Sequence, residues 1–365
     1  SCDKNLQGRK DKMTEEKQTK HRKFNVIIGN PPYQEESHGD QKLFTAPIYD
    51  KFMESAYKVG SIVELITPAR FLFNAGSTPK KWNKKMLADP HLKVMDYYAD
   101  SSKVFDNVDI AAGVAVTLRD SSKDFGAIQM FTPYNALNST KNKVFADSSF
   151  KSLESIVSPR GPYRFTDKMH EDYPSAKNKL SKGHAYDLSS NVFDRLPDVF
   201  YVQKPNDGHD YIQILGREGS TRQYKYIRAD YVKAYSNLHS YKVLIPKTNG
   251  VGKLGEVLIN PIVGQPNIGH TETFLSIGDF SKANEANNAL KYIKTKFARA
   301  LLDVLKVTQD TTRAKWACVP LQDFTDKSDI DWTKSISEID QQLYKKYNLS
   351  DDEIAFIEKN VKEMK

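Results

Sequence analysis

The stretch FNVIIGNPPY, residues 24–33, is the most informative part of this sequence for the fold. Its apolar half, residues 24–28, has the length and composition of a buried β-strand. That strand must end where the two prolines begin, because proline lacks an amide hydrogen and fixes φ. The sequence therefore predicts a rigid turn at the carboxyl end of a strand, formed by Asn30, Pro31, Pro32 and Tyr33.

Strand-like and helix-like patterns alternate after this turn. Residues 43–58 predict a helix with apolar side chains four residues apart, and residues 69–87 predict a partly helical segment. Further strands are predicted over 61–67, 91–98, 109–118 and 127–131. Such alternation favours an α/β fold with a mainly parallel sheet, in which ligands bind beyond the carboxyl ends of the strands.

The pattern changes after about residue 135. Residues 136–200 are polar, residues 201–280 contain short β-type segments between turns, and residues 281–307 predict one long helix. A capping box at Ser350–Glu353 predicts a helix through Met364. We therefore divide the chain into a linker or truncated end at 1–23, an α/β domain at 24–135 and a mixed α+β domain at 136–365.

Composition excludes several classes of protein. The 365 residues are 39% hydrophobic, which excludes wholesale disorder, and no apolar run is long enough to span a bilayer. The two cysteines form no disulfide framework, and the eight histidines show no metal-site spacing, so we expect a cytoplasmic protein without a metal. The net charge of +8 is compatible either with a polyanionic partner or with a lysine-rich soluble surface.

The Asn-Pro-Pro-Tyr turn has the groups needed to activate an aromatic amino group. The lone pair of such an amine is delocalised into the ring, so the nitrogen is a poor nucleophile. Two fixed acceptors, the Asn30 side-chain oxygen and the Pro31 carbonyl, would draw the nitrogen towards a tetrahedral shape, and Tyr33 would stack on the base. The alternative is an ordinary proline turn with a packed tyrosine.

This turn resembles motif IV of the γ-group N6-adenine DNA methyltransferases of restriction–modification systems, in particular the type II and type IIG methylases. Residues 103–114 resemble motif VIII of that family, and three later segments (294–299, 319–324 and 343–347) resemble its C-terminal part. The resemblance implies Asn30, Pro31, Pro32 and Tyr33 as catalytic residues. It also implies that Phe105 packs on the second face of the base, although Phe105 fits an ordinary core position as well.

The resemblance further implies a fold, a cofactor and a partner. The fold would be a partial Rossmann-like methyltransferase sheet, its catalytic half, followed by a target-recognition domain. The methyl group would pass from S-adenosyl-L-methionine to the N6 of an adenine flipped out of double-stranded DNA.

One family feature is missing, namely the glycine-rich cofactor motif before Asn-Pro-Pro-Tyr. We therefore expect residues upstream of this chain, or a second polypeptide, to complete the S-adenosylmethionine pocket, with a nuclease as one further upstream candidate. The sequence GVGKLG, residues 250–255, fits G-x-G-x-x-G but precedes a strand-like run rather than a helix. We interpret it as a β-hairpin loop that contacts DNA phosphates.

Basic and aromatic residues alternate over residues 200–275, as expected of a surface that binds nucleic acid. The alternative is solvated strands with half-buried tyrosines. The predicted DNA-binding residues are Arg217, Arg222, Lys225, Arg228, Lys247 and Lys253.

Two other functions remain open at this stage. One is a DNA-binding specificity module without its own cofactor site, favoured by the missing glycine-rich motif. The other is methylation of RNA adenine or of a protein glutamine, which the long second domain disfavours.

Overall fold

The protein is described here from a computed structural model. The structure describes residues 24–35, 46–74, 77–105, 110, 112–306 and 308–364. The chain divides into two compact units, Ser1–Pro133 and Tyr134–Lys365. The predicted segment at 1–23 lies outside the described residues.

In its described residues, the first unit contains a four-stranded sheet and two α-helices. Its strand order is β1-β2-β4-β3, with β1 parallel to β2, and β4 antiparallel to both β2 and β3. Three strands thus run one way and β4 the other, so the sheet is mixed, with a single parallel pair, rather than mainly parallel. The elements are β1 (Phe24–Gly29), α1 (Tyr49–Val59), β2 (Gly60–Pro68), α2 (Lys80–Leu87), β3 (Leu92–Tyr98) and β4 (Val114–Asp120), with 3₁₀ helices at Ala69–Phe73 and Ser101–Lys103.

The core of this unit lies between the sheet and its helices. Met53 of α1 and Met86 of α2 are fully buried, and they pack with Val63 and Leu65, which point to the same face of β2. Alternation along the strand places these two side chains together. The helices therefore cover one face of the sheet.

The prediction that β1 is a buried strand is wrong. Phe24, Val26 and Ile28 share one face of β1 and are exposed, Phe24 at 54% and Ile28 at 76%. Ile27, on the opposite face, packs against the core. The strand lies at the edge of the four-stranded sheet, and no part of the described chain buries the face formed by residues 24, 26 and 28.

Most other predicted elements of this unit are present, with shifted ends. The strands predicted over 61–67 and 91–98 are confirmed as β2 and β3. β4 begins only at Val114, after a turn in which Gly113 has a φ of 71° and a Cβ would meet the Tyr98 carbonyl oxygen. Residues 127–131 form no strand, and Phe131 packs into the core instead.

The second unit begins with short elements and continues through an irregular β-region to a helical end. Its first part contains α3 (Asn135–Ala146), β5 (Arg164–Phe165), α4 (Asp167–Asp172), α5 (Ala176–Lys179) and α6 (Val192–Arg195). The β-region contains β6 (Tyr211–Glu218), β7 (Thr221–Arg228), β8 (Val232–Lys233), β9 (Tyr241–Pro246), β10 (Ile262–Gly264), β11 (Ile268–His270) and β12 (Phe274–Phe280). The helical end contains α7 (Ala283–Lys294), α8 (Lys296–Asp303), α9 (Ile336–Lys346) and α10 (Asp351–Asn360).

Two three-stranded sheets form the centre of this unit. β6 pairs with both β7 and β11, and β9 pairs with both β10 and β12, while β5 and β8 form a separate pair. β6 and β7 form a hairpin in which Arg217 lies directly opposite Arg222. The mixed α+β character predicted for this part of the chain is present.

The helix predicted over 281–307 is two helices, because the chain turns at Thr295. The Thr295 side chain caps α8 by accepting a hydrogen bond from the Ala298 amide, and the Asp340 carboxylate accepts two more from the amides of Lys296 and Phe297. The predicted capping box is confirmed at Ser350 and Glu353, but its helix, α10, ends at Asn360. Among the described residues, no helix is both long and apolar enough to cross a membrane.

Candidate functional site

The Asn-Pro-Pro-Tyr turn lies at the carboxyl end of β1, next to the carboxyl end of β2. Parallel pairing of Gly29 with Leu65 aligns the two strand ends. Beyond the turn, the Tyr33 carbonyl accepts a hydrogen bond from the Ile48 amide at 3.1 Å, and the Glu35 amide donates to the Ala46 carbonyl at 3.0 Å. These backbone bonds hold the chain on both sides of the segment that is outside the described residues.

The two predicted acceptors are available at this strand end. Asn30 is exposed, and its side chain makes no hydrogen bond to any described residue; the same holds for the Pro31 carbonyl. Pro31 and Pro32 have no amide hydrogen, so neither backbone nitrogen can donate a hydrogen bond to these oxygens. The turn therefore presents, on a rigid backbone, acceptors that no described residue uses.

Tyr33 is half-buried against the core of the first unit. Its hydroxyl is buried and has no hydrogen-bond partner among the described residues. Burial raises the pKa of Tyr33 to about 12, so the side chain is neutral at physiological pH. Tyr33 can therefore offer an uncharged aromatic ring, but its hydroxyl is not held by any described contact.

Phe105 lies close to Tyr33, and the two rings are not parallel. Their centroids are 6.2 Å apart and their planes meet at 71°, an edge-to-face contact. Phe105 is positioned by the hydrogen bond from its own amide to the Ser101 carbonyl, in a turn that Asp100 caps. A base between two parallel rings would require one of them to rotate. Residues 106–109 and 111 of the motif VIII segment lie outside the described residues.

The G-x-G-x-x-G loop at residues 250–255 binds a carboxylate of its own chain. Glu256 accepts hydrogen bonds from the amides of Val251 and Gly252 at 2.9 Å and pairs with the Lys306 ammonium at 3.3 Å. Burial alone would raise the pKa of Glu256, but these backbone donors and Lys306 outweigh it and lower the pKa. Two amides that could face a phosphate are thus already used, and a third, that of Gly255, donates to Asp303.

Packing within the chain also explains two glycines of this loop. Gly250 and Gly255 have positive φ values of 60° and 77°. A Cβ at Gly250 would meet the Glu256 carboxylate, and one at Gly255 would meet the Asn360 carbonyl. The strand-like run predicted directly after the loop is absent, and no helix follows it, so the segment is not a nucleotide-binding turn. The loop lies in the connection between the antiparallel strands β9 and β10, as the β-hairpin interpretation predicted.

The structure separates the six predicted DNA-binding residues into three groups. Arg217, Arg222 and Lys247 line one cavity of about 280 Å³ in the second unit. Lys225 is buried and paired with Glu218, and Arg228 is paired with Asp230 and Asp172. Lys253 is exposed on the loop at 250–255.

Two of these features have no direct signal in the sequence. Glu256 directly follows the glycine loop, but its role as the acceptor depends on the fold. The pairing of Lys225 with Glu218 depends on the β6–β7 hairpin, which brings residues seven positions apart together. In the part of the chain that the structure describes, no three His, Cys, Asp or Glu side chains are grouped to hold a metal.

Comparison with known proteins gives one family match. Residues 2–105 match the model of the Eco57I restriction-modification methylase family. This segment contains the Asn-Pro-Pro-Tyr turn and Phe105. No curated protein matches the chain.

Two solved structures resemble the chain weakly. One is the type IIG restriction endonuclease BpuSI, with a TM-score of 0.31 and 10% identity over 86% of this chain and 48% of that one. The other is the type IIL restriction-modification enzyme MmeI in complex with DNA, with a TM-score of 0.34 and 10% identity over 92% and 56%. This chain spans about half the length of each, and similarity at this level supports no argument about function.

Proposed function

We propose that the protein is a site-specific DNA adenine methyltransferase of a restriction–modification system. It would transfer the methyl group of S-adenosylmethionine to the N6 amino group of an adenine flipped out of the duplex. The observation that supports this most is the turn at Asn30–Tyr33, inside the segment matched by a methylase family model. No described residue forms a hydrogen bond to the two acceptors of this turn.

In this proposal the turn activates the amine by accepting both of its hydrogens. The Asn30 side-chain oxygen and the Pro31 carbonyl bind one amino hydrogen each, so the nitrogen lone pair turns out of the ring plane. S-adenosylmethionine, when bound, supplies an activated methyl group on sulfur. The chemistry it would supply is exchange of the carbon–sulfur bond for a carbon–nitrogen bond, with neutral S-adenosylhomocysteine as the leaving group and the amino proton passing to solvent. Fixing the acceptors beforehand would hold the nitrogen lone pair in one orientation.

Tyr33 and Phe105 would hold the flipped base. Their rings are in edge-to-face contact, and Tyr33 stays neutral because burial raises its pKa to about 12. Rotation of one ring from the edge-to-face contact would let the base stack, which replaces stacking lost in the duplex.

The cofactor pocket in this proposal is shared with another stretch of polypeptide. The glycine loop at residues 250–255 is filled by Glu256, so it does not serve as that pocket. The exposed apolar face of Phe24, Val26 and Ile28, on the strand that ends in the turn, supports a cover supplied by upstream residues or by a second chain. That stretch would complete the S-adenosylmethionine site, and an upstream nuclease remains a candidate partner.

A second candidate is a DNA-binding specificity module without its own cofactor site. Two observations favour it: the open face on β1 and the filled glycine loop. Methylation of RNA adenine or protein glutamine is less favoured, because the second unit adds more than 200 residues to the site-bearing unit.

The test is methyl transfer from labelled S-adenosylmethionine to unmethylated duplex DNA. The protein is purified natively from the cells that encode it, so that any polypeptide on the open face stays bound, and a Tyr33→Ala variant is treated identically. Label in N6-methyladenine that disappears in the variant is the expected result. Binding of DNA without binding of cofactor or transfer would favour the specificity module. Label in RNA or protein, or no binding of DNA, would contradict the proposal.

A further inference from the structure

The cavity in the second unit combines two cations of one hairpin with a third from a later strand. Arg217 is the next-to-last residue of β6, Arg222 is the second residue of β7, and Lys247 follows β9. All three line the same space of about 280 Å³. Ser190 and Thr273 add hydroxyl groups to its wall, and Phe274 lies under the Arg222 guanidinium, 5.1 Å from the ring centroid. The cavity thus offers hydrogen-bond donors of several kinds on an ordered frame.

The two arginines of this cavity lie opposite each other across the β6–β7 hairpin. Like charges at directly opposed positions destabilise a strand pair. Within the described chain neither arginine pairs with a carboxylate: Arg217 donates to the Gly219 carbonyl and Arg222 to the Asn260 carbonyl. Lys247 likewise has no carboxylate partner among the described residues. An anion between these side chains would offset the repulsion.

One carboxylate lies in the cavity wall, and it is already neutralised. Glu272 is paired with Arg160 at 3.1 Å, and the Glu272 side chain is only 12% exposed. Arg160 is largely exposed and is not part of the lining. Arg160 therefore offsets the one negative charge in the cavity wall by pairing with the Glu272 carboxylate.

We propose that this cavity binds one backbone phosphate of duplex DNA, and that Arg160 acts as a positioning residue that keeps Glu272 from repelling it. The assignment rests on the proposed function for the choice of DNA as the partner. Phosphate oxygens accept several charge-assisted hydrogen bonds at once, and arginine's fork of donors matches them. Lys225 and Arg228 have no such role, because carboxylates of the chain already pair with them.

The first test measures the salt dependence of binding to a fluorescent duplex. Removing the three cations (R217A/R222A/K247A) should lower affinity by roughly 10- to 100-fold and make the slope of log K against log salt shallower by about 1, the value for one phosphate. The control removes three exposed lysines of the same unit that form no ion pair with any described residue (K182A/K282A/K359A), so the change in net charge is equal. Thermal unfolding checks that both variants fold, and R217K/R222K/K247R should retain the slope.

The second test asks whether Arg160 acts through Glu272. Arg160→Ala should weaken DNA binding because it leaves the Glu272 carboxylate unpaired beside the phosphate. Adding Glu272→Gln should restore the affinity. If Arg160 instead contacted DNA itself, Glu272→Gln would give no rescue, and that result would overturn its assigned role.

The outcomes separate this inference from the proposed function. Equal losses in the cavity variant and its lysine control, with methyl transfer intact, would overturn the cavity but not the methyltransferase. The cavity would be assigned to a free anion if two results were found together. Inorganic phosphate at constant ionic strength would have to weaken DNA binding, and the cavity variant would have to keep the slope of log K against log salt of the unaltered protein. The cavity assignment and the proposed function would both be overturned if the cavity variant lost binding to an RNA duplex but not to a DNA duplex. The same conclusion would follow if the unaltered protein did not bind DNA.

Discussion

The Asn30–Tyr33 turn and the Gly250–Gly255 loop both stand out in the sequence, but they differ in whether their polar groups form hydrogen bonds within the described chain. The turn leaves the Asn30 side chain and the Pro31 carbonyl without a hydrogen bond to any described residue. The loop donates two amide hydrogen bonds to Glu256, which Lys306 also neutralises. A motif is a ligand site only where its polar groups are unused, and the sequence pattern alone does not report this.

The largest effect should follow from Asn30→Ala. If its oxygen accepts an amino hydrogen, the variant should transfer methyl groups about 10²- to 10³-fold more slowly, which is typical for loss of one preorganised polar contact to a reacting group. The thermal unfolding temperature should change little, since the Asn30 side chain has no partner among the described residues. Initial rates and melting curves together check this. A normal rate would remove the turn from the reaction.

For Glu256→Ala in the loop, we expect a loss of stability and an unchanged methyl-transfer rate. Lys306, only 2% exposed, would lose its carboxylate, and two amides would lose their acceptor. The free energy of unfolding should fall by about 3 kcal/mol. Denaturant unfolding measures it, with exposed Glu171→Ala as the control. The methyl-transfer rate at saturating substrate should be unchanged, and a selective loss of transfer would instead place the loop in the site.

The deficit of Glu256→Ala should depend on pH in a defined direction. The folded state lowers the pKa of Glu256, so its contribution is present above the ordinary value of 4.5 and is lost as pH falls through the lowered value. The variant and the unaltered protein should therefore converge in stability in acid. A deficit that stayed constant down to acid pH would contradict the ion pair.

Asp303→Asn should raise the free energy of unfolding at alkaline pH, by less than Glu256→Ala lowers it. Burial raises the pKa of Asp303 to about 7, and the side chain accepts a hydrogen bond from the Gly255 amide. Its stabilising contribution is present below the ordinary value of 3.8 and is lost as pH rises through about 7. Asparagine keeps the acceptor without the charge, so the variant should be more stable than the unaltered protein at pH 8 and equal to it near pH 4. Lower stability at pH 8 would show that the ionised carboxylate is favourable.

The smallest effect is expected for Tyr33→Phe. The Tyr33 hydroxyl is buried and has no partner among the described residues, so its removal should change the free energy of unfolding by less than about 1 kcal/mol. The ring remains, so methyl transfer should persist, in contrast to Tyr33→Ala. A large loss of transfer in the phenylalanine variant would show that the hydroxyl takes part in the reaction.

The sequence was sufficient for elements whose structure depends on local signals. The double proline ends β1, and the Ser350–Glu353 capping box begins α10, because both act through neighbouring backbone groups. Exposure of β1 was not predictable, because an apolar run has the same sequence whether or not another segment covers it. The break at Thr295 was also missed, since it depends on Asp340, more than forty residues away.

Site residues follow the same division between local and distant causes. The position of the turn was predictable, whereas the 71° angle between Tyr33 and Phe105 depends on the packing of two separate loops. Among the basic residues, the sequence could not separate Lys225, which pairs across a hairpin, from Arg217, which lines a cavity. Charge is visible in the sequence, but its partner is a property of the fold.

The most direct measurement of the central claim is base-resolved DNA methylation in the cells that encode the protein. The chromosomal codon for Asn30 is changed to alanine, so the protein acts with every partner it has. The account predicts that N6-methyladenine disappears from one DNA sequence motif and is unchanged at all others. A methylation map identical to that of the parent cells, with the variant present at normal abundance, would contradict the assignment of methyl transfer to this turn.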